Sequence, residues 1–211
     1  MMTNMSCYSL TVDVYIPPDA QKASRLPVKV WAYGGFNAAG GTSDPLYDAC
    51  NLATDAVVVE FNYRLGPMGF LALDSAGIMG NMAIQDGLAA LEWVQENIAD
   101  FGGDKSHVVM FGQSAGANDV YTISTLPQAP KLLKSVVVQS GGGTFVTPAK
   151  VAQDAGAMFA KQLNCTETDN QVGYNHSPPF KTRNWTQLIC HCLVALVFTE
   201  RLAGCNRYSL W

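Results

Sequence analysis

A chain of 211 residues is long enough for one domain with a substantial core, and 48% hydrophobic with 14% charged residues is a globular composition, not a disordered one. The net charge of −4 is small and no Lys/Arg cluster occurs, which argues against nucleic acid or an anionic membrane surface as partner. No apolar stretch reaches the roughly 18 residues that span a bilayer; the run from Leu188 to Phe198 comes nearest, and it is shorter and holds His191.

In chain order, Met1 to Leu10 has neither the basic nor the apolar region of a signal peptide. Alternation or β-branched density then predicts strands at Leu10–Ile16, Val28–Tyr33 and Ala56–Tyr63. A helix follows over Met82–Ala99, with Ile84, Leu88, Leu91, Val94 and Ile98 on one face and Asp86 and Glu96 pointing away from it. Asn81 stands at its N-cap position, and Gly102-Gly103 ends it. Next come a strand at His107–Phe111, a helix from Ser114 to about Thr125 that stops before Pro127, a strand at Lys134–Gln139 and a helix over Ala149–Leu163. Val57-Val58-Val59 and Val136-Val137-Val138 are apolar on both faces, as central parallel strands covered by helices are. The expected fold class is α/β, with a mostly parallel central sheet and helices on both faces.

After Val172 the patterning is lost. Residues 1–172 form the expected domain, and 173–211 read as a disordered or aberrant tail without helical or strand period. Sequons at Asn4, Asn164, Asn175 and Asn184 are each weak evidence of secretion. Six cysteines (Cys7, Cys50, Cys165, Cys190, Cys192 and Cys205) leave the pairing open.

The chemistry centres on Gly112-Gln113-Ser114-Ala115-Gly116, which directly follows the apolar run Val108–Phe111. In that strand–turn–helix context G-x-S-x-G marks a nucleophile elbow, the sharp turn that presents the serine of an α/β-hydrolase, with its acid and histidine later in the chain. Ser114 is the candidate nucleophile. A serine hydroxyl needs an adjacent base and an oxyanion hole of backbone N–H groups aimed at the developing charge. Tyr33-Gly34-Gly35-Phe36 follows a strand and lets backbone approach a substrate closely. Read alone it is an ordinary glycine turn, but paired with Ser114 it becomes the hole: Gly34, Gly35 and Phe36 are the candidate donors, with Ala115 from the elbow.

Val30–Phe36, Asn62-Tyr63-Arg64-Leu65-Gly66-Pro67-Met68-Gly69-Phe70-Leu71, the run from Gly80 through Trp93 to Asp104, Phe111–Gly116 and Gln139-Ser140-Gly141 together resemble the type-B carboxylesterase/lipase family, which includes the cholinesterases. The resemblance covers Cys7 to Val172. It implies an α/β-hydrolase fold, here incomplete, and hydrolysis of small-molecule carboxylic esters through an acyl-enzyme on Ser114, with no cofactor. It also implies a chain more than twice this length, with the triad acid and histidine beyond the matching region and a disulfide partner for Cys7 upstream of Met1. Secretion is the family habit, so with no signal peptide in view the localisation is open.

Three departures from the family pattern stand out. Phe36 takes the place of a third glycine, or one glycine is deleted. Gln113 replaces the commoner glutamate. The triad acid and histidine have no assignment. His107 precedes the elbow strand at the opposite sheet end, and His176 and His191 fall in the tail, with Asp154, Glu167, Asp169 or Glu200 as conceivable acids. Cys190, His191, Cys192 and Cys205 have poor zinc spacing, so no metal is expected. The expectation is a fragment with low or no turnover; the alternative is a non-catalytic cholinesterase-like binding or adhesion module. An open sheet edge at Lys134–Gln139 invites self-association.

Overall fold

The computed structural model describes residues 10–162, 198–202 and 205–210. Seven strands form within them: β1 (Val12–Ile16), β2 (Leu26–Ala32), β3 (Val57–Phe61), β4 (Gly103–Gln113), β5 (Ser135–Gln139), β6 (Phe198–Leu202) and β7 (Cys205–Leu210). The helices are α1 (Gly66–Phe70), α2 (Met82–Asn97), α3 (Ala115–Ser124), α4 (Ala129–Leu132) and α5 (Ala149–Gln162). The strands make one sheet in the order β5-β4-β2-β3-β1-β7-β6. β2, β3, β4 and β5 are parallel, whereas β1 runs antiparallel to β3, and β7 pairs antiparallel with both β1 and β6.

Period-two alternation sorts the strand residues. Val28, Val30 and Ala32 of β2, Val57, Val59 and Phe61 of β3 and Val108 and Met110 of β4 share one face and join Leu91, Val94, Ile98, Val120 and Ile123 of the helical layer in the main core. On the opposite face Tyr15 and Val58 pack with Ala49, Cys50, Ala53 and Cys205. There, among the described residues, the cover includes two short 3-10 turns, Pro45–Tyr47 and Ala49–Asn51, each opened by an aspartate side chain, Asp44 and Asp48, that accepts a backbone N–H. β3 is buried along its whole length, as its run Val57-Val58-Val59 predicts, and the anomaly is that the burial includes the carboxyl of Glu60.

Several expectations are corrected. Asn81 adopts a left-handed backbone with φ 58° and its side chain caps nothing. Asp86 does not point away from the core: it is 8% exposed and binds Arg64. The buried side of α2 is Ala83, Ile84, Gly87, Ala90, Leu91 and Val94, so the stripe is centred on small residues that allow close approach. A side chain on Gly87 would stand 2.7 Å from Ile123 Cδ1, which fixes the spacing of α2 and α3. Within 173–211, residues 198–202 and 205–210 are strands of the sheet. Cys205 forms a disulfide with Cys50 across 155 residues of chain. Cys7, Cys165, Cys190, Cys192, His176, His191, Glu167, Asp169 and the four sequons lie outside the described residues.

Candidate active site

The carboxyl ends of the parallel strands share one rim, where Ala32 pairs with Gly112 and Gln113 with Gln139; in open α/β sheets this is the rim where ligands bind. Ser114 sits between β4 and α3 with φ 56° and ψ −121°. Such a conformation costs a non-glycine residue on the order of 1–3 kcal/mol and persists only where the surroundings enforce it. Here its N–H donates to the Gln139 carbonyl at 2.9 Å and its carbonyl accepts from Asn118 N–H at 3.1 Å. A side chain on Gly112 would lie 2.6 Å from the Gly116 carbonyl oxygen, and one on Gly116 would run into the carbonyls of Ala32 and Tyr33. Strand and helix therefore cross at a separation that only glycine at both positions permits.

Gly34 lies against the same turn: a Cβ there would be 2.8 Å from the Gln113 carbonyl oxygen and 3.1 Å from Ser114 Cβ. Gly35, Phe36 and Asn37 continue with φ of 114°, 58° and 55°. Gly35 requires that freedom, because a Cβ would collide with the Ala39 carbonyl. Phe36 takes a backbone that glycine adopts without cost and leaves its ring 92% exposed. Among the described residues the N–H groups of Gly35, Phe36 and Ala115 are bonded to no protein acceptor. The structure thus packs Gly34 on the Ser114–Ala115 elbow, with Gly35 and Phe36 next in the same loop.

Four further side chains hold this rim and escape motif reading. Asn118 Oδ1 accepts from Gly142 N–H at 2.8 Å, tying α3 to the loop after β5. Tyr63 O–H donates to the Tyr33 carbonyl at 2.6 Å, and their rings stack with centroids 4.5 Å apart. Asn37 Nδ2 donates to Asp119 Oδ1 at 3.2 Å. Desolvation pushes Asp119 up to about 6 against the bond from Asn37, and burial pushes Tyr33 up to about 12. A signal for Asp119 is present in the sequence, since it falls between Gly116, Val120 and Ile123 on the buried side of α3, where a carboxylate is out of place.

No base is assembled beside Ser114 among the described residues. His107 contacts Asp104 at 3.2 Å at the start of β4, about 23 Å along the strand from Ser114 at 3.3 Å per residue. Asp104 itself is held well below the usual carboxylate range, chiefly by the Ser106 hydroxyl and N–H. Asp154 is an exposed partner of Lys150 at 2.8 Å. Glu200 lies on β6, five strands from β4, or about 24 Å at 4.8 Å per strand.

A mixed, mostly parallel sheet with a serine at the strand-to-helix turn on its carboxyl rim is a partial α/β-hydrolase fold. The comparisons make this specific: the model of the Carboxylesterase family matches residues 3–198. The chain is 40% identical over 162 residues to para-nitrobenzyl esterase of Bacillus subtilis (strain 168), covering 75% of this chain and 32% of the relative. It is 42% identical over 169 residues to liver carboxylesterase of Sus scrofa, covering 77% and 29%. Among solved structures, a thermophilic PNB esterase superposes with TM-score 0.71 at 34% identity over 86% of this chain and 36% of that one. Juvenile hormone esterase from Manduca sexta, with OTFP covalently attached, gives 0.71 at 34% over 76% and 31%. The chain belongs to the carboxylesterase family. It spans about a third of the length of the curated relatives it matches.

Proposed function

We propose that this chain carries the nucleophile and oxyanion half of a carboxylic ester hydrolase that works through an acyl-enzyme on Ser114. The observation that carries the reading is the enforced backbone of Ser114, φ 56° and ψ −121°, at the β4–α3 turn with Gly34 packed on it. A serine hydroxyl is lifted off the sheet at such an elbow, and the unspent N–H groups of Gly35, Phe36 and Ala115 are the donors that would receive an oxyanion. Names of relatives, including para-nitrobenzyl esterase, and the covalent adduct on the Manduca sexta enzyme agree with this chemistry. The substrate is a small-molecule ester.

The described residues supply no base. Where no base joins Ser114, the 211 residues alone turn over slowly or not at all, since loss of the histidine of such a triad costs on the order of 10⁶ in kcat; His176 and His191 lie outside the described residues. The test is mass-spectrometric mapping of a fluorophosphonate adduct, run beside p-nitrophenyl acetate hydrolysis. A slow Ser114 adduct, accelerated by added imidazole as an external base and absent from Ser114→Ala, is expected; folded protein that never labels there even with imidazole sinks the esterase reading. Fast turnover abolished by Ser114→Ala overturns the impaired reading. The absence of a base among the described residues also motivates a second reading, a non-catalytic binding module, whose mark is a partner retained by Ser114→Ala.

The edge of β5, outermost among the described strands, completes the proposal. Ser135–Gln139 contains no charge and no proline, and Val137 is 47% exposed, so the edge lacks the usual devices against strand addition. Concentration-dependent self-association in sedimentation is expected; a monomer at all concentrations contradicts it.

A further inference from the structure

The loop that carries Gly35 and Phe36 is three successive left-handed residues, Gly35, Phe36 and Asn37; glycine and asparagine adopt that backbone readily, but Phe36 is a type that does not choose it unaided. Something outside the loop must hold it. Asn37 is where the holding converges. Its carbonyl accepts from Gly66 N–H at 2.6 Å, its Nδ2 donates to Asp119 Oδ1 at 3.2 Å, and its Oδ1 lies 3.4 Å from the Tyr63 hydroxyl. That last contact is weak: Tyr63 has one proton, and it goes to the Tyr33 carbonyl at 2.6 Å. The Asn37 side chain is therefore anchored by Asp119, from 82 residues further along the chain.

Asp119 is an expensive anchor. Among the described residues its Oδ2 is buried without a partner, and Asn37 is the hydrogen-bonding group that stabilises its charge against desolvation. Beside it stand Tyr33 and Tyr63, at the ends of β2 and β3 and kept protonated by burial; Asp86 of α2 acts on Tyr33 and is closed on Arg64. No cation from β4, β5 or α4 reaches it among the described residues. A desolvated carboxylate with one partner does not strengthen a fold, so its place on the buried side of α3 calls for a role other than stability.

We propose that Asp119 is a positioning residue for the candidate oxyanion loop: through Asn37 it holds Gly35 and Phe36 in the left-handed backbone that keeps their N–H groups beside Ser114. The proposal rests on the esterase reading for its consequence in catalysis, but the clamp is measurable without it. Asp119→Ala removes the acceptor, whereas Asp119→Asn keeps a carbonyl oxygen for Asn37 Nδ2 and removes the charge. Asn37→Gly opens the clamp from the other side while tolerating the backbone.

The experiment is amide hydrogen exchange of Ala38 and Ala39, whose N–H groups donate to the Gly35 carbonyl, with the melting temperature and the Ser114 fluorophosphonate labelling rate recorded on the same proteins. Exchange in the loop should rise at least about tenfold in Asp119→Ala and in Asn37→Gly, the double variant adding nothing to either, and return to within about threefold of wild type in Asp119→Asn. The melting temperature of Asp119→Asn should not fall. Labelling should drop about 10²-fold in Asp119→Ala and recover in Asp119→Asn, as small displacements of a positioned group do. Unchanged loop exchange in both Asp119→Ala and Asn37→Gly overturns the proposal whatever Ser114 does. So does exchange in Asp119→Asn as fast as in Asp119→Ala. Raised exchange with a wild-type Ser114 that never labels keeps the clamp and removes the esterase reading instead.

Discussion

Phe36 concentrates a conflict between a side chain and its backbone. Its φ of 58° costs an L-residue roughly 1–2 kcal/mol, while the ring, 92% exposed, gains nothing by burial. Phe36→Gly should relieve that strain. Set against the roughly 0.5–1 kcal/mol that glycine loses through added freedom when unfolded, the net is a gain of about 0.5–1 kcal/mol, a rise of about 1–4 °C in melting temperature for a domain of this size. Calorimetry decides; a fall of several degrees means the ring has a partner worth more than the strain. The same residues show what a motif can and cannot reveal. Ser114, Gly34 and Gly35 are legible because local geometry forces residue type: a tight turn needs glycine on both sides. The bond from Asn37 to Asp119 spans 82 positions and obeys no spacing rule, so only the folded chain displays it.

At the scale of elements, α2 buries a wider face than its apolar period marks. Its extent, Met82–Asn97, follows from the period of its apolar residues and the glycines beyond it. Ile84, Leu91, Val94 and Ile98 lie in the core as their period predicts, with Leu88 packed against it; the buried side is wider than that stripe because Ala83, Gly87 and Ala90, which bury little area themselves, let α3 approach. Asp86 lies on that side. Its carboxylate accepts from Arg64 Nε at 2.8 Å, from a terminal guanidinium nitrogen at 2.7 Å and from the Arg64 backbone N–H at 2.9 Å, and the pair raises the Arg64 pKa further. The ion pair thus pins the segment between β3 and α1 onto α2. Asp86→Ala strands a part-buried guanidinium and a backbone donor together, which should cost about 2–4 kcal/mol, whereas Asp86→Asn, keeping one acceptor, should cost less than half of that. Urea denaturation of the two variants measures both; equal losses would mean that charge alone matters, and negligible losses that Arg64 finds other partners.

For the whole molecule, the central strands are legible because each is a short apolar run between turn signals, and their parallel order follows from the helices between them. The antiparallel side is not. Strand β7 lies on the sequence as Cys205 to Leu210 with no clean period, and it is fixed by distant partners: Cys50 through the disulfide, and Asp13, whose Oδ2 accepts from an Arg207 guanidinium nitrogen at 3.1 Å. Arg207 thereby sits near Glu60, which is 2% exposed and paired in register with Asp13. Desolvation first, then Asp13, pushes Glu60 up from 4.5 to about 8, while Arg207 opposes the shift. The sign follows from linkage. Below pH 4.5 the folded and unfolded chains both hold the proton; between there and about 8 only the folded chain does, so this contribution to stability is lost as pH rises through that window. The wild-type urea midpoint should therefore fall from pH 5 to pH 8, and Glu60→Gln should flatten that slope and be the more stable protein at pH 8. Arg207→Ala removes the one opposing charge and should carry the decline to higher pH. Cys205→Ser tests the same coupling at a distance: it releases a constraint worth about 5 kcal/mol in the chain-entropy picture for a closed loop of this length, and by freeing β7 it takes Arg207 away, so its pH slope should match that of Arg207→Ala. A Cys205→Ser chain that is less stable but keeps the wild-type slope would show that β7 stays seated without its disulfide, and that the C-terminal strand is held by its backbone ladder to β1.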